Sequence, residues 1–298
     1  MSARTQSTNS FLDALTGHPY NRFKQDPRFY WRYDFFYLLL SSALLVMMAM
    51  GARLGVFAPA FGAPALWWLG VWPVALFGLI WAHLVIHNCT HGNLPKSINR
   101  VVGEVLGVLV VVRFASWGVS HIRHHRYSDD RVKDPHPNFG SFVHTVKNTV
   151  TQVEQQLFEA YFETWGDTPE NRQREKRRAM LSYGTNLLLI AVWFVLLGPW
   201  FTLLVFAPAN ILAGLFVIHF NWSTHNGERG TADADFEPVN LNHGYYKLGN
   251  MLFAGIYMHA NHHKRPHLFN PVRWCNETYG PMAPTVTELT TRKSEQPA

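Results

Sequence analysis

The longest uncharged segment of the chain constrains its fold more than any other feature. Residues 179–218 are forty consecutive positions without Asp, Glu, Lys or Arg, interrupted by Gly198-Pro199. This length matches two membrane crossings of about twenty residues each, joined by a tight turn. The segments 35–52 and 57–82 are also uncharged. We therefore predict four transmembrane helices, at about 35–56, 65–86, 180–198 and 200–219, rather than a soluble protein with buried helices.

The distribution of basic residues predicts the orientation of these helices. Lys and Arg recur before the first predicted span and in the run 172–178 before the third, whereas the connections 54–64 and 198–200 carry no charge. Because basic loops tend to stay in the cytoplasm, we expect both termini and the long loops on that side. No removable signal peptide is expected. The prediction is a multi-pass protein of the bacterial inner membrane.

The predicted spans divide the chain into a simple organisation. Residues 1–34 form a cytoplasmic N-terminal segment, 35–275 a single membrane domain, and 276–298 a polar C-terminal tail. The domain contains a cytoplasmic insertion at 87–178. Within it, the apolar stretch 101–112 is too short to cross a bilayer and is expected to lie in one interface.

A second part of the insertion is predicted to be a helix. Val153, Leu157, Phe158 and Tyr161 recur at helical spacing among glutamates. This helix either covers the functional site or membrane surface, or is a solvated surface helix; the pattern alone fits both. The expected fold class is all-α, with four transmembrane helices and a cytoplasmic helical cap.

Histidines are concentrated in three short motifs of this cap. They are HNCTH at 87–91, HIRHH at 121–125 and HANHH at 259–263, which hold eight of the sixteen histidines. On a helix, residues three or four apart share a face, so the imidazoles of each motif point the same way. A lone histidine is more often a packed core residue than a ligand, but three such motifs on one side of the membrane indicate metal ligands.

The number and type of ligands narrow the choice of metal. Eight imidazoles exceed the four ligands of a zinc site, and the glutamate of an HExxH protease is missing, so two metals are expected. Imidazole suits Zn, Cu, Fe and Ni; iron able to bind dioxygen fits best, and spacing leaves zinc open. Cys89 is expected to be packing, and no disulfide with Cys275 is expected in the cytoplasm. A transporter would place such ligands near the membrane midplane. The three motifs are instead expected on one side of the membrane, which disfavours a transporter.

At this point the chain resembles a known family, the integral-membrane fatty acid desaturase and hydroxylase superfamily. The resemblance covers about residues 35–270. It rests on HNCTHG at 87–92, HIRHHRYSDDRVKDPHPN at 121–138, NWSTH at 221–225 and HANHH at 259–263. It implies two iron ions, dioxygen as co-substrate, two electrons from a separate donor protein, and oxidation of an unactivated C–H bond in a lipid chain.

The resemblance also implies roles for individual residues. The metal ligands would be His87, His91, His121, His124, His125, His225, His259, His262 and His263. Asn221 would join the site through water, or would instead cap the end of its helix. His83 is assigned a supporting or buried hydrogen-bonded role. Asp130 and Asp134 are expected to accept the second N–H of a ligating imidazole, against the alternative of a surface turn.

The activity implied by the resemblance is that of a fatty acid desaturase acting on a lipid or acyl substrate. The residues around the third motif depart from the family pattern, with Tyr257-Met258 before it and residues 264–267 after it. A lipid hydroxylase, a ketolase-like enzyme and a terminal-alkene-forming decarboxylase therefore remain alternatives. A membrane metal carrier or sensor is the non-enzymatic alternative.

The sequence also bears on the partners of the protein. No dinucleotide-binding fingerprint, haem-attachment motif or four-cysteine cluster occurs, so a ferredoxin, rubredoxin or cytochrome-type protein is expected to supply electrons. The net charge of +6 is attributed to contacts with membrane lipids under the positive-inside rule. No nucleic-acid partner is expected.

Overall fold

The computed structural model of the protein describes residues 14–128, 130, 132–135, 140–227 and 238–267. Regular secondary structure within these ranges is helical, and two extended segments meet at a single antiparallel bridge between Asn240 and Met258. The prediction of an all-α fold is therefore confirmed. Cys275 and the predicted polar tail at 276–298 lie outside the described residues.

Four helices are long and apolar enough to cross a membrane, as predicted. They are α2 (Phe29–Arg53), α3 (Trp68–Thr90), α7 (Pro169–Leu197) and α8 (Pro199–His225). Within α8, a π-helical turn replaces regular α-helix at Thr202–Phe206, and a second one, Ser223–Gly227, overlaps its last residues. No more than 33% of the apolar window of any of these helices is buried inside the protein. The remaining apolar surface is what a lipid bilayer would cover.

The spans differ from the prediction mainly at their ends. α7 begins at Pro169, eleven residues before the predicted start at 180, because the basic run 172–178 is itself helical. Its start is fixed by Thr168, whose hydroxyl accepts from the backbone N–H of Asn171 at 3.2 Å, and by proline in the first turn. Uncharged sequence therefore marks the apolar part of a helix rather than its ends.

Two shorter helices follow α3 and make a sharp corner. They are α4 (Lys96–Leu109) and α5 (Phe114–Arg126), and the chain bends by 104° between them. Gly107 allows the corner, since a Cβ there would lie 2.5 Å from the Val112 carbonyl oxygen. Neither helix alone is long enough to cross the membrane. This corner contains the apolar stretch 101–112 that was predicted to lie in one interface.

The remaining helices are short or lie outside the spans. They are α1 (Pro19–Gln25), α6 (Phe142–Trp165), α9 (Gly244–Leu252) and α10 (His259–Lys264). α6 contains the predicted helix, and its Leu157 and Tyr161 are buried in an aromatic cluster with residues of α1 and α2. The hydroxyl of Tyr161 donates to the Pro27 carbonyl oxygen at 2.9 Å. One face of α6 is therefore buried against the rest of the protein, and α6 is not a fully solvated surface helix.

Helix α5 contacts one end of α2, α3 and α8. The Tyr30 hydroxyl near the start of α2 donates to the Ala115 carbonyl oxygen of α5 at 3.3 Å. At the end of α3, His91 contacts His121 of α5, and at the end of α8 the ring of His225 lies near that of His124. The functional motifs therefore meet at one end of the bundle.

Candidate metal centre

The first histidine motif lies where α3 ends. His87 is in the last turn and His91 is the C-cap residue, and their ring centroids are 5.4 Å apart. The helix stops because Gly92 adopts a φ of 74°, a left-handed conformation that commonly follows a helix C-terminus. Cys89, between the two histidines, is buried in the apolar core.

The second motif occupies the last turns of α5. His121, His124 and His125 lie within this helix, and His121 and His124 are buried. The other end of α5 is anchored by Phe114, which is fully buried against Gly103 of α4. A Cβ at that glycine would lie 2.7 Å from the Phe114 ring, so the close approach of α4 and α5 requires glycine there.

Ion pairs fix the position of α5 against its neighbours. Arg113, the N-cap residue, pairs with Asp34 of α2 and also, at 3.0 Å, with Glu154 of α6. Near the other end, the Arg123 guanidinium donates to both carboxylate oxygens of Glu163 at 2.5 and 3.1 Å. Removing one member of a buried pair leaves an uncompensated charge. These contacts therefore hold the second motif in one place.

The third motif is held by a pair of asparagines that the sequence analysis did not identify. The Asn240 amide donates to Asn261 Oδ1 at 3.1 Å, and the backbone N–H of Asn261 donates to Asn240 Oδ1 at 3.2 Å. Both residues are buried. Since Asn261 is the middle residue of HANHH, this pairing orients α10 and with it His259 and His263.

His225 lies in the π-helical turn at the end of α8 and is fully buried. Its ring centroid lies 4.8 Å from that of His124, 4.9 Å from that of His259 and 5.1 Å from that of His263. The structure therefore brings the ninth histidine to the ends of the second and third motifs.

The nine histidines form two groups in which the ligand atoms lie within 4.8 Å of one another. The first group contains five and the second contains four. The first comprises His87, His91, His121, His125 and His262, and the second comprises His124, His225, His259 and His263. Histidines that are adjacent in sequence can belong to different groups: His262 is in the first and His263 in the second. One helix can therefore contribute side chains to both groups. We call them the five-histidine group and the four-histidine group.

The nitrogen spacing in these groups matches metal ligation. Nε2 of His121 lies 2.8 Å from that of His91 and 3.1 Å from that of His125. In the four-histidine group, Nε2 of His259 and His263 are 3.2 Å apart. Ligand nitrogens at about 2.1 Å from one metal and at right angles to each other would be separated by about 3.0 Å. Nε2 of His87, in the five-histidine group, is buried without a hydrogen-bond partner among the described residues.

The imidazoles are in an environment that keeps them neutral. Burial lowers the pKa of His121, His125, His259, His262 and His263 well below the usual value, and neighbouring imidazoles lower it further. The pKa of His91 falls for the same reasons, to about 2. Metals bind the neutral imidazole, so these histidines are already in the protonation state that ligation needs.

The two predicted carboxylates occupy different environments. Asp134 is buried, and its Oδ1 lies 2.9 Å from Nδ1 of His124. Asp130 is exposed, and its carboxylate instead accepts the backbone N–H groups of Val132 and Lys133 at 2.9 and 3.0 Å. Those bonds lower the pKa of Asp130. Asp134 therefore contacts a ligand candidate, whereas the structure places Asp130 in the alternative arrangement, a surface turn.

His83 and Asn221 lie beside the histidine groups without belonging to them. Nδ1 of His83 hydrogen-bonds the Leu79 carbonyl oxygen within α3 at 2.8 Å, so the ring contacts its own helix rather than a predicted ligand through that atom. Both residues line a cavity of about 530 Å³ that is also lined by His87 and His121.

This cavity, the site cavity, extends from the five-histidine group to the outside of the helix bundle. Leu84, Val217 and Phe220 contribute to its apolar wall. Tyr183 on α7 and Val150 on α6 also line it and are 58% and 70% exposed, so the cavity borders the surface of the protein. The cavity therefore lies between the five-histidine group and the protein surface.

Comparisons with known proteins find sequence relatives of the chain. The family model for fatty acid desaturases matches residues 66–276. The chain is 24% identical to an sn-1 oleoyl-lipid 12-desaturase of Arthrospira platensis over 74% of this chain and 68% of that protein. It is 37% identical to a probable fatty acid desaturase of Sorghum bicolor over 22% of this chain and 19% of that protein.

A third relative extends the comparison to a named electron donor. The chain is 41% identical to an sn-2 acyl-lipid omega-3 desaturase (ferredoxin) of Arabidopsis thaliana, over 24% of this chain and 17% of that protein. The alignments thus span about two thirds of the Arthrospira relative and less than a fifth of these two plant relatives. No solved structure matches the chain. Because the family match covers more than half of the sequence and includes all three histidine motifs, the chain belongs to the fatty acid desaturase family.

Proposed function

We propose that this protein is a di-iron, dioxygen-dependent membrane oxidoreductase that desaturates a fatty acyl or similar lipid chain. The observation that carries the proposal is the position of the five-histidine group beside the site cavity. We infer that this cavity opens towards lipid, because Tyr183 of the membrane-spanning α7 lines it and is exposed. A metal carrier needs ligands but has no need for a largely apolar cavity of about 530 Å³ next to them. The desaturase names of the relatives support the same reaction class.

The residues fit two metal ions better than one. Nine imidazoles divide into groups of five and four, whereas a zinc site normally takes four ligands in total. Nitrogen-only ligands favour iron, zinc, copper or nickel, and among these iron is the metal suited to oxygen-dependent oxidation. Two iron ions held there would activate dioxygen, which is the oxidant for the unactivated C–H bond and is reduced to water by two electrons from the lipid chain and two from a separate donor protein.

The protein itself positions these groups. Asp134 holds a proton at Nδ1 of His124 and so leaves Nε2 available as a ligand. Asn221 lines the cavity together with His87 and His121, where its amide can orient water or substrate near the five-histidine group. The apolar wall keeps bulk water away from the chain that is to be oxidised.

We also propose a cytoplasmic active site. The starts of α2 and α7 are rich in basic residues. α2 contacts α5 through Tyr30 and Ala115, and Arg178 of α7 pairs with Glu154, which also pairs with Arg113 at the start of α5. The positive-inside rule assigns that end to the cytoplasm, where a ferredoxin, rubredoxin or cytochrome-type protein could deliver electrons. The ferredoxin in the name of the Arabidopsis relative favours the first of these.

A lipid hydroxylase or ketolase-like enzyme is the second candidate, because of polar residues in the site cavity. Ser116, Ser120 and Asn186 line it, and a side-chain oxygen of each is buried without a hydrogen-bond partner among the described residues. Burying an unsatisfied polar atom is costly. A substrate or product that carries an oxygen atom would satisfy these groups.

The test is expression in a bacterial host with mass analysis of its lipids, together with metal analysis of the purified protein. Loss of two hydrogens from an acyl chain, with about two iron atoms per chain, supports desaturation. Gain of an oxygen atom supports the second candidate, and a shortened terminal alkene indicates decarboxylation. Bound metal without any change in the lipids, in the presence of a working electron donor, would indicate a carrier or sensor instead.

A further inference from the structure

We propose that a pocket between the starts of α2 and α7 binds the headgroup phosphate of an anionic phospholipid. This arginine pocket has a volume of about 390 Å³. It is lined by Arg28, Trp31, Glu170, Gln173, Arg174 and Arg177. It shares no lining residue with the site cavity, so it is a separate binding site rather than part of the metal centre.

The arginine pocket carries a net positive charge that the protein does not neutralise. Three arginines and one glutamate line it, which gives +2. Nearby carboxylates already pair with other residues: Asp26 with Arg32 at 2.7 Å, Asp167 with Arg172 at 2.6 Å, and Glu175 with Arg178 at 2.8 Å. In the part of the chain that the structure describes, the three pocket arginines make no ion pair. An anion is therefore the complementary ligand.

Part of the arginine pocket is held in shape by hydrogen bonds. Nη1 of Arg174 donates to the Tyr161 hydroxyl at 2.8 Å, and that hydroxyl donates to the Pro27 carbonyl oxygen at 2.9 Å. Pro27 immediately precedes Arg28, so α6 links both sides of the pocket. Among the described residues, Nε and Nη2 of Arg174 donate to no protein acceptor. A guanidinium fixed in this way can present its remaining N–H groups to phosphate oxygens.

The location of the arginine pocket favours a membrane lipid over a soluble anion. Trp31 stacks on Phe35 with a centroid distance of 5.2 Å, and Leu39 follows one turn later on the same face of α2. Trp31 is 37% and Leu39 50% exposed. Tryptophan is frequent at the level of lipid headgroups, and the apolar strip below it can accommodate an acyl chain. Neither free phosphate nor an acidic protein would use that strip.

The experiment compares two neighbouring residues of α7 in the full-length protein. Arg177 lines the pocket and Lys176 does not; both are exposed and make no ion pair within the described residues. Detergent-purified, delipidated protein is titrated with phosphatidylglycerol, and bound lipid is counted by native mass spectrometry. We expect Arg177→Gln to weaken binding about fivefold, since one basic residue near an anionic membrane contributes about that much. Lys176→Gln is expected to change the affinity for phosphatidylglycerol less than twofold. The double variant Arg28→Gln/Arg177→Gln is expected to weaken this affinity more than tenfold.

Further measurements distinguish an anionic lipid from the other possible ligands of the arginine pocket. Phosphatidylcholine is expected to bind more weakly than phosphatidylglycerol, and inorganic phosphate is expected not to displace the lipid. Equal losses for Arg177→Gln and Lys176→Gln would show diffuse surface charge and overturn the proposal. Displacement of the lipid by millimolar phosphate would assign the pocket to a soluble anion. If Arg28→Gln/Arg177→Gln slowed reduction by an acidic donor protein with lipid binding unchanged, the pocket would be a protein docking site instead.

Discussion

Nδ1 of His124 lies 2.9 Å from Oδ1 and 3.0 Å from Oδ2 of Asp134. The side chains are 1% and 0% exposed, so water does not compete for this contact. A proton at Nδ1 fixes the tautomer and leaves Nε2 of His124 as a lone-pair donor within the four-histidine group. The charge of Asp134 also makes the imidazole a stronger ligand.

Replacing this carboxylate should weaken metal binding without unfolding the protein. Asp134→Asn retains the shape and one acceptor but removes the charge, and we expect a loss of about 10- to 100-fold in metal affinity. The measurement is iron content after dialysis against graded chelator. Asp130→Asn is the control, because Asp130 accepts only backbone N–H groups of an exposed turn. Equal metal loss in the two variants would contradict the role assigned to Asp134.

The division into two groups predicts different effects for adjacent histidines. His262 belongs to the five-histidine group and His263 to the four-histidine group. His262→Gln leaves four imidazoles around its metal, whereas His263→Gln leaves three. We therefore expect both variants to lose turnover, and His263→Gln to lose its metal at a lower chelator concentration.

The control for this comparison is His144→Gln, because His144 is exposed on α6 and belongs to neither group. Its metal content and turnover are expected to match those of the unchanged protein. Metal analysis and a donor-coupled activity assay measure both quantities on the same samples. Retention of two metals and full activity in His263→Gln would show that the four-histidine group is not a ligand set.

Much of the fold could be predicted because the sequence signals are local. An uncharged run long enough to cross a membrane is typical of a transmembrane helix, and the four spans follow from such runs. Helix ends were less predictable. α7 starts eleven residues before the predicted position, because it begins directly after the cap residue Thr168 and its first turns are formed by polar and charged residues. Hydropathy reports the surroundings of a helix, whereas capping and hydrogen bonding determine its length.

For the candidate site, too, the arrangement within each motif could be predicted from the sequence, whereas the arrangement of the motifs relative to one another could not. Spacing within each motif predicted that its imidazoles share a face. Spacing could not show that adjacent His124 and His125 belong to different groups, because this depends on how α5 lies between α3, α8 and α10. Asp34 and Asn240 were missed for the same reason, since each acts on a partner far along the chain. Single buried polar residues leave no periodic pattern.

The buried imidazoles predict that metal-free protein loses stability in mild acid. Within the two histidine groups, burial lowers the pKa of six residues outside the spans, which are His91, His121, His125, His259, His262 and His263. In the unfolded chain they would titrate near pH 6.5. Below that pH the unfolded state binds more protons than the folded state, so the free energy of unfolding falls as pH falls. Each group contributes up to about 1.4 kcal/mol per pH unit.

The measurement is the thermal unfolding midpoint of chelator-treated protein in detergent, from pH 8 to pH 5. We expect a plateau above pH 7 and a steep fall below pH 6.5. The doubly substituted protein His262→Gln/His263→Gln should show a shallower fall, since two of the contributing groups are gone. A midpoint that stays constant down to pH 5 would mean that these imidazoles are not buried in the neutral form.

The site cavity predicts a way to change substrate preference without touching the metal centre. Gly214 of α8 lines this cavity, and a Cβ added there meets no atom within 4 Å. The first side-chain carbon of a leucine there would meet no neighbour, so we expect Gly214→Leu to occupy part of the cavity and to reduce turnover of long chains more than of short ones. Gly78→Leu is the matched control, because Gly78 also has open space around its Cβ position but does not line the cavity. Product analysis with acyl chains of graded length, alongside iron content, distinguishes the outcomes. If both variants kept the original chain-length profile with full iron content, the substrate would bind elsewhere.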